Sequence, residues 1–194
     1  MAALNPLITA EWLAANHGRS DVKVIDGTWL MPGENADLPE GYIPGTQVFD
    51  VDKIATPHPT LKHMLPSAET FSDALSHMGI SADDSVVVYD RHGVRTAPRV
   101  WWMFCAFGHK KVYVLDGGLP AWIRAGNMVS ETSASPSKSS TYKVSKPRLG
   151  VVTQDEILAN LGTQQIADAR SNGRFYGTAP EPRAGLRSGH IPGS

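Results

Sequence analysis

Cys105 is the only thiol in the sequence, and a thiolate is the side chain best suited to nucleophilic attack at neutral pH. Its setting argues against that use. It lies in Trp101-Trp102-Met103-Phe104-Cys105-Ala106-Phe107, and a cysteine among apolar neighbours is a small hydrophobe with a raised pKa. Arg174 and Arg183 are better placed for chemistry. They stand in the glycine- and proline-rich stretch Ser171-Asn172-Gly173-Arg174-Phe175-Tyr176-Gly177-Thr178-Ala179-Pro180-Glu181-Pro182-Arg183. That stretch follows an apolar run ending at Asp168, and α/β sheets place ligands in loops at the C-terminal ends of parallel strands. A planar guanidinium suits a carboxylate better than a lysine does. The same two arginines could equally be solvated, or pair with Glu181. His17, His58, His77, His92 and His109 show no ligand spacing with a carboxylate or thiol, so no metal site is predicted.

The elements that would position these groups are legible around them. Val22–Asp26, Val86–Asp90 and Val112–Asp116 are short valine-rich runs that each end at an aspartate. Such runs read as buried strands of a parallel sheet. Ser67 caps a predicted helix through Phe71, Ala74 and Leu75 that stops at Gly79. Thr96, with Pro98 in the first turn, opens another through Trp101, Trp102 and Phe104 that stops at Gly108. Trp101, Trp102 and Trp122 are expected in the core, and Asp116-Gly117-Gly118 reads as a turn. Strands separated by helices imply right-handed crossovers, and the fold class is α/β.

The chain has 194 residues, with 18 Lys plus Arg against 19 Asp plus Glu and a formal net charge of −1. No basic excess exists to hold a nucleic-acid backbone, and no apolar run approaches the ~20 residues that span a bilayer. The N-terminus MAALNPLITAEW has no charged region followed by an apolar one, which predicts a cytoplasmic protein. One cysteine excludes an intramolecular disulfide framework. Seven of the sixteen residues from Ser130 to Ser145 are serine, a composition that reads as a linker. Thr153-Gln154-Asp155-Glu156 then forms a capping box, with Val152 and Ile157 as a hydrophobic staple, opening a helix that ends near Gly162.

The chain also repeats itself. Thr9–Asn16 resembles Thr153–Asn160 at an offset of 144. Val24-Ile25-Asp26 matches Gln165-Ile166-Ala167-Asp168 at 142, and Gly41-Tyr42-Ile43-Pro44-Gly45 matches Gly189-His190-Ile191-Pro192-Gly193 at 148. Three matches in one order predict a first domain over residues 1–126, a linker over 127–150 and the beginning of a second copy over 151–194. A full second copy would need roughly 75 more residues.

These residues bring a family into view. The sequence resembles the tandem-domain rhodanese-type sulfurtransferases, most of all the 3-mercaptopyruvate sulfurtransferases. The likeness rests on the doubled Gly41–Gly45 motif, His63-Met64-Leu65-Pro66, Val88-Tyr89-Asp90, Ala97–Phe104, Leu115–Trp122, Asp168-Ala169-Arg170, Gly173-Arg174-Phe175 and Gly177–Arg183. It implies two similar rhodanese-like domains, each a mainly parallel five-stranded sheet flanked by helices. It also implies transfer of sulfur from 3-mercaptopyruvate to a thiol or cyanide through a cysteine persulfide, releasing pyruvate, with no metal or organic cofactor. Thiosulfate as donor, or a non-catalytic binding module, are the alternative readings.

The resemblance further assigns roles. Asp90 stands where the family's active domain has its cysteine, in a loop whose backbone N–H groups hold an anion. A carboxylate cannot form a persulfide, so the first domain should be silent and the nucleophile should lie in the remainder of the second domain. Arg174 and Arg183 match arginines that bind the donor's carboxylate end. Asp52 and His63 match an acid/base pair directed at the active site, with a cap or a structural hydrogen bond as the plainer alternative. Arg170 is expected to be structural, and His190, which replaces Tyr42 in the second copy, to pack.

Overall fold

In the computed structural model, residues 5–31, 33–34, 37–135, 139–147, 149–182 and 185–194 are described. The chain divides into two compact units, the first ending at Gly150 and the second beginning at Val151.

The first unit runs β1 (Leu7–Ile8), α1 (Ala10–Asn16), β2 (Val22–Asp26), β3 (Gln47–Val48), α2 (Ala68–His77), β4 (Ser85–Tyr89), α3 (Ala97–Ala106), β5 (Val112–Leu115) and α4 (Gly118–Arg124). Its strands form one five-stranded sheet in the order β1-β5-β4-β2-β3, and every pairing is parallel. The three valine-rich runs are β2, β4 and β5, at the centre, where both sheet faces must be covered. Alternate residues of β4 serve opposite faces. Val86 and Val88 pack with Phe71, Leu75, Val100, Met103 and Phe104 of α2 and α3. Val87 and Tyr89 pack with Leu13 of α1 and Leu119 and Trp122 of α4. The two edge strands are two residues long and are formed by pairing rather than by any periodic pattern in the sequence.

Two expectations differ from the observed packing. Trp122 is buried, but Trp101 and Trp102 are only half-buried. Trp101 donates from Nε1 to the Val112 carbonyl at 3.1 Å, and Arg99 stacks 4.8 Å from the centre of the Trp102 ring. An indole covers apolar surface while its polar edge finds a partner at the rim.

The serine-rich stretch is also no free linker where it is described. Ser130 and Tyr42 exchange both backbone hydrogen bonds, at 2.8 and 2.9 Å. Ser140 N–H donates to the Ser76 carbonyl and Ser145 N–H to that of Phe107, at 2.9 and 3.0 Å. Tyr142 is buried, stacked on His109, with its hydroxyl 3.0 Å from His109 Nδ1. A few backbone bonds and one buried ring fasten a segment whose composition alone suggests solvation.

The second unit contains α5 (Gln154–Ala159) and α6 (Asn172–Phe175). The capping box forms, with the Thr153 hydroxyl accepting from Glu156 N–H and the Glu156 carboxylate accepting from Thr153 N–H. The helix ends at Ala159, short of Gly162, and Val152 remains exposed. No strand forms over residues 165–168. A strand needs a neighbour to pair with, and the described residues of this unit supply none. Among the described residues, no helix is long and apolar enough to cross a membrane.

Cys105 lies on α3 with no exposed surface, in the cluster with Phe71, Val100 and Phe104. Cys105→Ala should therefore cost about 1 kcal/mol of stability in urea unfolding. The native thiol should resist a thiol reagent that labels the unfolded chain at once. Rapid labelling of the native protein would contradict this placement.

Candidate functional site

The aspartate that follows β4 organises the C-terminal edge of the first unit's sheet. Asp90 is completely buried, and a buried carboxylate must be matched by donors. Four backbone N–H groups supply them. His92 donates to Oδ1 at 2.9 Å, and Arg95, Thr96 and Ala97 donate to Oδ2 at 2.7, 2.8 and 2.8 Å. The loop closes around the acid and delivers it to the first turn of α3, whose unpaired N–H groups and positive dipole end favour an anion. Thr96 opens α3 as its N-cap residue, as the sequence predicts. Thr96 makes no side-chain cap bond: Pro98 has no N–H to offer, Arg99 N–H donates to the Thr96 carbonyl, and the Thr96 hydroxyl accepts from Trp29 N–H instead.

A glycine completes the enclosure. Gly118, at φ +55°, opens α4 directly against the loop, and a Cβ there would overlap the carbonyl oxygens of Asp90 and Gly93. Leu119 N–H reaches the Asp90 carbonyl at 3.0 Å. Only glycine permits both that backbone angle and that approach.

Asp52 and His63, named from the sequence, meet in the same unit. Nε2–H of His63 donates to Oδ1 of Asp52 across 2.6 Å. The second carboxylate oxygen accepts from Nε1–H of Trp29 at 3.1 Å, and the Trp29 ring stands edge-on to the imidazole at 4.8 Å. His63 has φ +57°, the only positive value at a non-glycine among the described residues. A bulky residue holds that conformation only when its surroundings fix it. Arg99 supplies one fixture, donating from Nη2 to the His63 carbonyl at 2.9 Å. The carboxylate thus sets which ring nitrogen carries the proton. Trp29 and Arg99 were not foreseen. The signals available were an indole just beyond the β2 aspartate and an arginine in the first turn of α3.

In the second unit, Arg174 lies in α6 rather than in irregular loop, and it contacts Glu181. Nε and Nη2 donate to Oε2 at 3.0 and 2.7 Å. Glu181 is almost fully buried, and its other oxygen accepts from Arg170 at 3.1 Å. Arg174 keeps 32% of its side chain exposed, and Nη1 makes no bond among the described residues. It is therefore anchored on one edge and available on the other. Arg170 grips Asp168 with Nε and Nη2, at distances of 2.7 to 3.0 Å, and donates to the Gly189 carbonyl. His190 stacks on Phe175 at 3.9 Å. Arg183 lies outside the described residues. Among the described residues, no group of three or more His, Cys, Asp or Glu is arranged to hold a metal ion.

This geometry sits within a recognisable family. The profile of the rhodanese-like domain matches residues 9–125, and the chain belongs to that family. Thiosulfate/3-mercaptopyruvate sulfurtransferase 1, mitochondrial, of Arabidopsis thaliana is 42% identical over 216 residues, covering 97% of this chain and 57% of the relative. The 3-mercaptopyruvate sulfurtransferase of Rattus norvegicus is 40% identical over 200 residues, covering 97% of this chain and 67% of the relative. A 3-mercaptopyruvate sulfotransferase structure from Escherichia coli superposes with a TM-score of 0.82 at 34% identity, covering 97% of this chain and 72% of that one. The chain spans about three fifths of the length of the Arabidopsis relative.

The Arg170 guanidinium, and then the Arg170 backbone N–H, hold the Asp168 carboxyl down to about 2 from its ordinary 3.8. A depressed carboxylate pKa contributes stability above the unfolded value, and that contribution is lost as pH falls through the folded value. The Asp168 contribution should be complete above about pH 4 and disappear toward pH 2. An NMR titration of the Asp168 carboxyl should give a midpoint near 2, rising toward 3.8 in Arg170→Met. A midpoint near 3.8 in the unaltered protein would contradict the pairing.

Proposed function

We propose that the protein containing this chain transfers sulfur from 3-mercaptopyruvate to an acceptor thiol or cyanide through a cysteine persulfide, releasing pyruvate. Cys105 is the only cysteine of the sequence and is fully buried, so the nucleophilic thiol comes from outside these 194 residues. That thiolate attacks the donor sulfur, and the carbon–sulfur bond breaks with its electron pair moving onto carbon. The products are the enzyme persulfide and the enolate of pyruvate, which takes up one proton. An acceptor thiolate or cyanide then removes the outer sulfur and restores the cysteine thiolate.

What carries this reading is the His63–Asp52 pair, with its 2.6 Å hydrogen bond and its strained, well-held histidine. An imidazole fixed by a carboxylate is suited to protonate an enolate and to deprotonate an acceptor thiol. Arg174 and Arg183 bind the donor's carboxylate end, Arg174 through the edge that Glu181 leaves uncovered. The first unit takes no covalent part, since Asp90 offers a hydrogen-bonded carboxylate at the end of β4. The relatives support 3-mercaptopyruvate as donor, and thiosulfate, which the Arabidopsis relative's name also carries, is the second donor. We assign the reaction to the cytoplasm.

In the full-length protein, His63→Ala should lower kcat for 3-mercaptopyruvate by about 100-fold, the range expected for a general acid/base. Arg183→Gly should raise KM for 3-mercaptopyruvate by about 10- to 150-fold and affect thiosulfate less, because a charge-assisted bond to the carboxylate is lost. Steady-state assays of pyruvate and of sulfur transfer with both donors check this. Unchanged kcat in His63→Ala would overturn the proton role, and equal effects of Arg183→Gly on both donors would overturn the specificity assignment.

A further inference from the structure

The loop around Asp90 also reaches toward the His63–Asp52 pair. The segment Thr28–Trp29, just beyond β2, is tied to this loop by three hydrogen bonds. Arg91 N–H donates to the Thr28 hydroxyl at 3.0 Å, and the Trp29 carbonyl accepts from Nε2 of His92 at 3.3 Å. Trp29 N–H donates to the Thr96 hydroxyl at 3.3 Å. Each donor or acceptor on the loop side belongs to a residue whose position Asp90 helps to fix. His92 and Thr96 give their own N–H groups to the Asp90 carboxylate, and Arg91 lies between Asp90 and His92 in the chain.

The base of the segment is anchored separately. The buried Asp26 carboxylate accepts from Thr28 N–H at 2.8 Å and from the Thr28 hydroxyl, and its other oxygen accepts from Nε of Arg91 at 3.1 Å. Trp29 is thereby clamped through both its backbone N–H and its carbonyl. The indole reaches out from that clamp, donates to Asp52, and stands against the His63 ring. A second tie runs from α3, where Arg99 holds the His63 carbonyl, and α3 begins at the N–H groups that Asp90 accepts.

We propose that this loop positions the His63–Asp52 pair through Thr96 and Trp29. Trp29 acts on Asp52 directly, and Thr96 acts one step further back. The proposal rests on the reading of His63 and Asp52 as the proton carrier. The indole N–H occupies the carboxylate oxygen that His63 does not use, so Asp52 cannot rotate away from the imidazole without breaking a second bond. Asp52 is 60% exposed on its side chain. An exposed carboxylate with a single partner is readily lost to water, and a second fixed donor restricts that exchange.

The test uses the full-length protein with Trp29→Phe, Thr96→Val and Thr96→Ser, read by steady-state kinetics and by 15N NMR of histidine side chains. Trp29→Phe keeps the aromatic ring and removes the donor. It should lower kcat for 3-mercaptopyruvate by about tenfold with KM held within about twofold, and change the pH–rate profile. Thr96→Val should do the same to a smaller degree, and Thr96→Ser, which keeps the acceptor, should recover most of the loss. The Nε2 resonance of His63 should move in Trp29→Phe and Thr96→Val and return in Thr96→Ser. Wild-type kcat and unmoved His63 resonances in both disruptive variants would overturn the proposal. If His63→Ala itself retains wild-type kcat, the proton role fails, and the His63 resonances alone then decide whether Thr96 and Trp29 position the ring.

Discussion

The carboxylate of Asp90 with its four backbone N–H donors is the interaction on which the first unit's functional edge depends. A buried acid without donors would be untenable, and a loop of N–H groups converging on one point without an anion would be equally costly. Each solves the other's problem. The loop can turn sharply from β4 into α3 because its N–H groups converge on a fixed negative charge supplied by the chain itself. The position is therefore structurally central.

Several features follow from that closure. The helix α3 starts at the amide of Ala97, so its residues Val100, Met103 and Phe104 fall onto the sheet and Arg99 falls beside His63. The start of α4 can lie against the loop only because residue 118 is glycine. The two ends of the Thr28–Trp29 segment are tied to the loop's outer residues, which gives Asp52 and His63 a firm neighbour on an otherwise exposed surface. In the second unit the same logic uses side chains instead of backbone. Glu181, nearly buried, is shared by Arg170 and Arg174, and it decides which edge of Arg174 faces outward.

What the sequence made legible was whatever is enforced locally or by burial. The runs ending at Asp26, Asp90 and Asp116 form the sheet centre because valine-rich segments covered on both faces have little alternative. Ser67 and the Thr153–Glu156 box act as caps because three-residue spacing alone sets their geometry. The two-residue edge strands were invisible, since pairing with β2 and β5 creates them. The serine-rich stretch misled because its hold on the unit comes from backbone bonds and Tyr142, which composition does not weigh. Arg174 was left between two readings by its type, and the geometry joins it to Glu181 while leaving one edge open. The role of Asp90 as acceptor for the N–H groups of its loop was not legible, because its donors are two to seven residues away along a loop whose path only the folded chain defines.

Native-state amide hydrogen exchange in Asp90→Ala beside the unaltered protein tests this account most directly. If the carboxylate holds the loop, the amides of His92, Arg95, Thr96 and Ala97 should lose protection by about 100-fold, as expected when donors lose a charged acceptor. The centres of β2 and β5 should change far less. Protection at those four amides within about threefold of the unaltered protein would show that the loop stands without Asp90, and would contradict the central role given to it here.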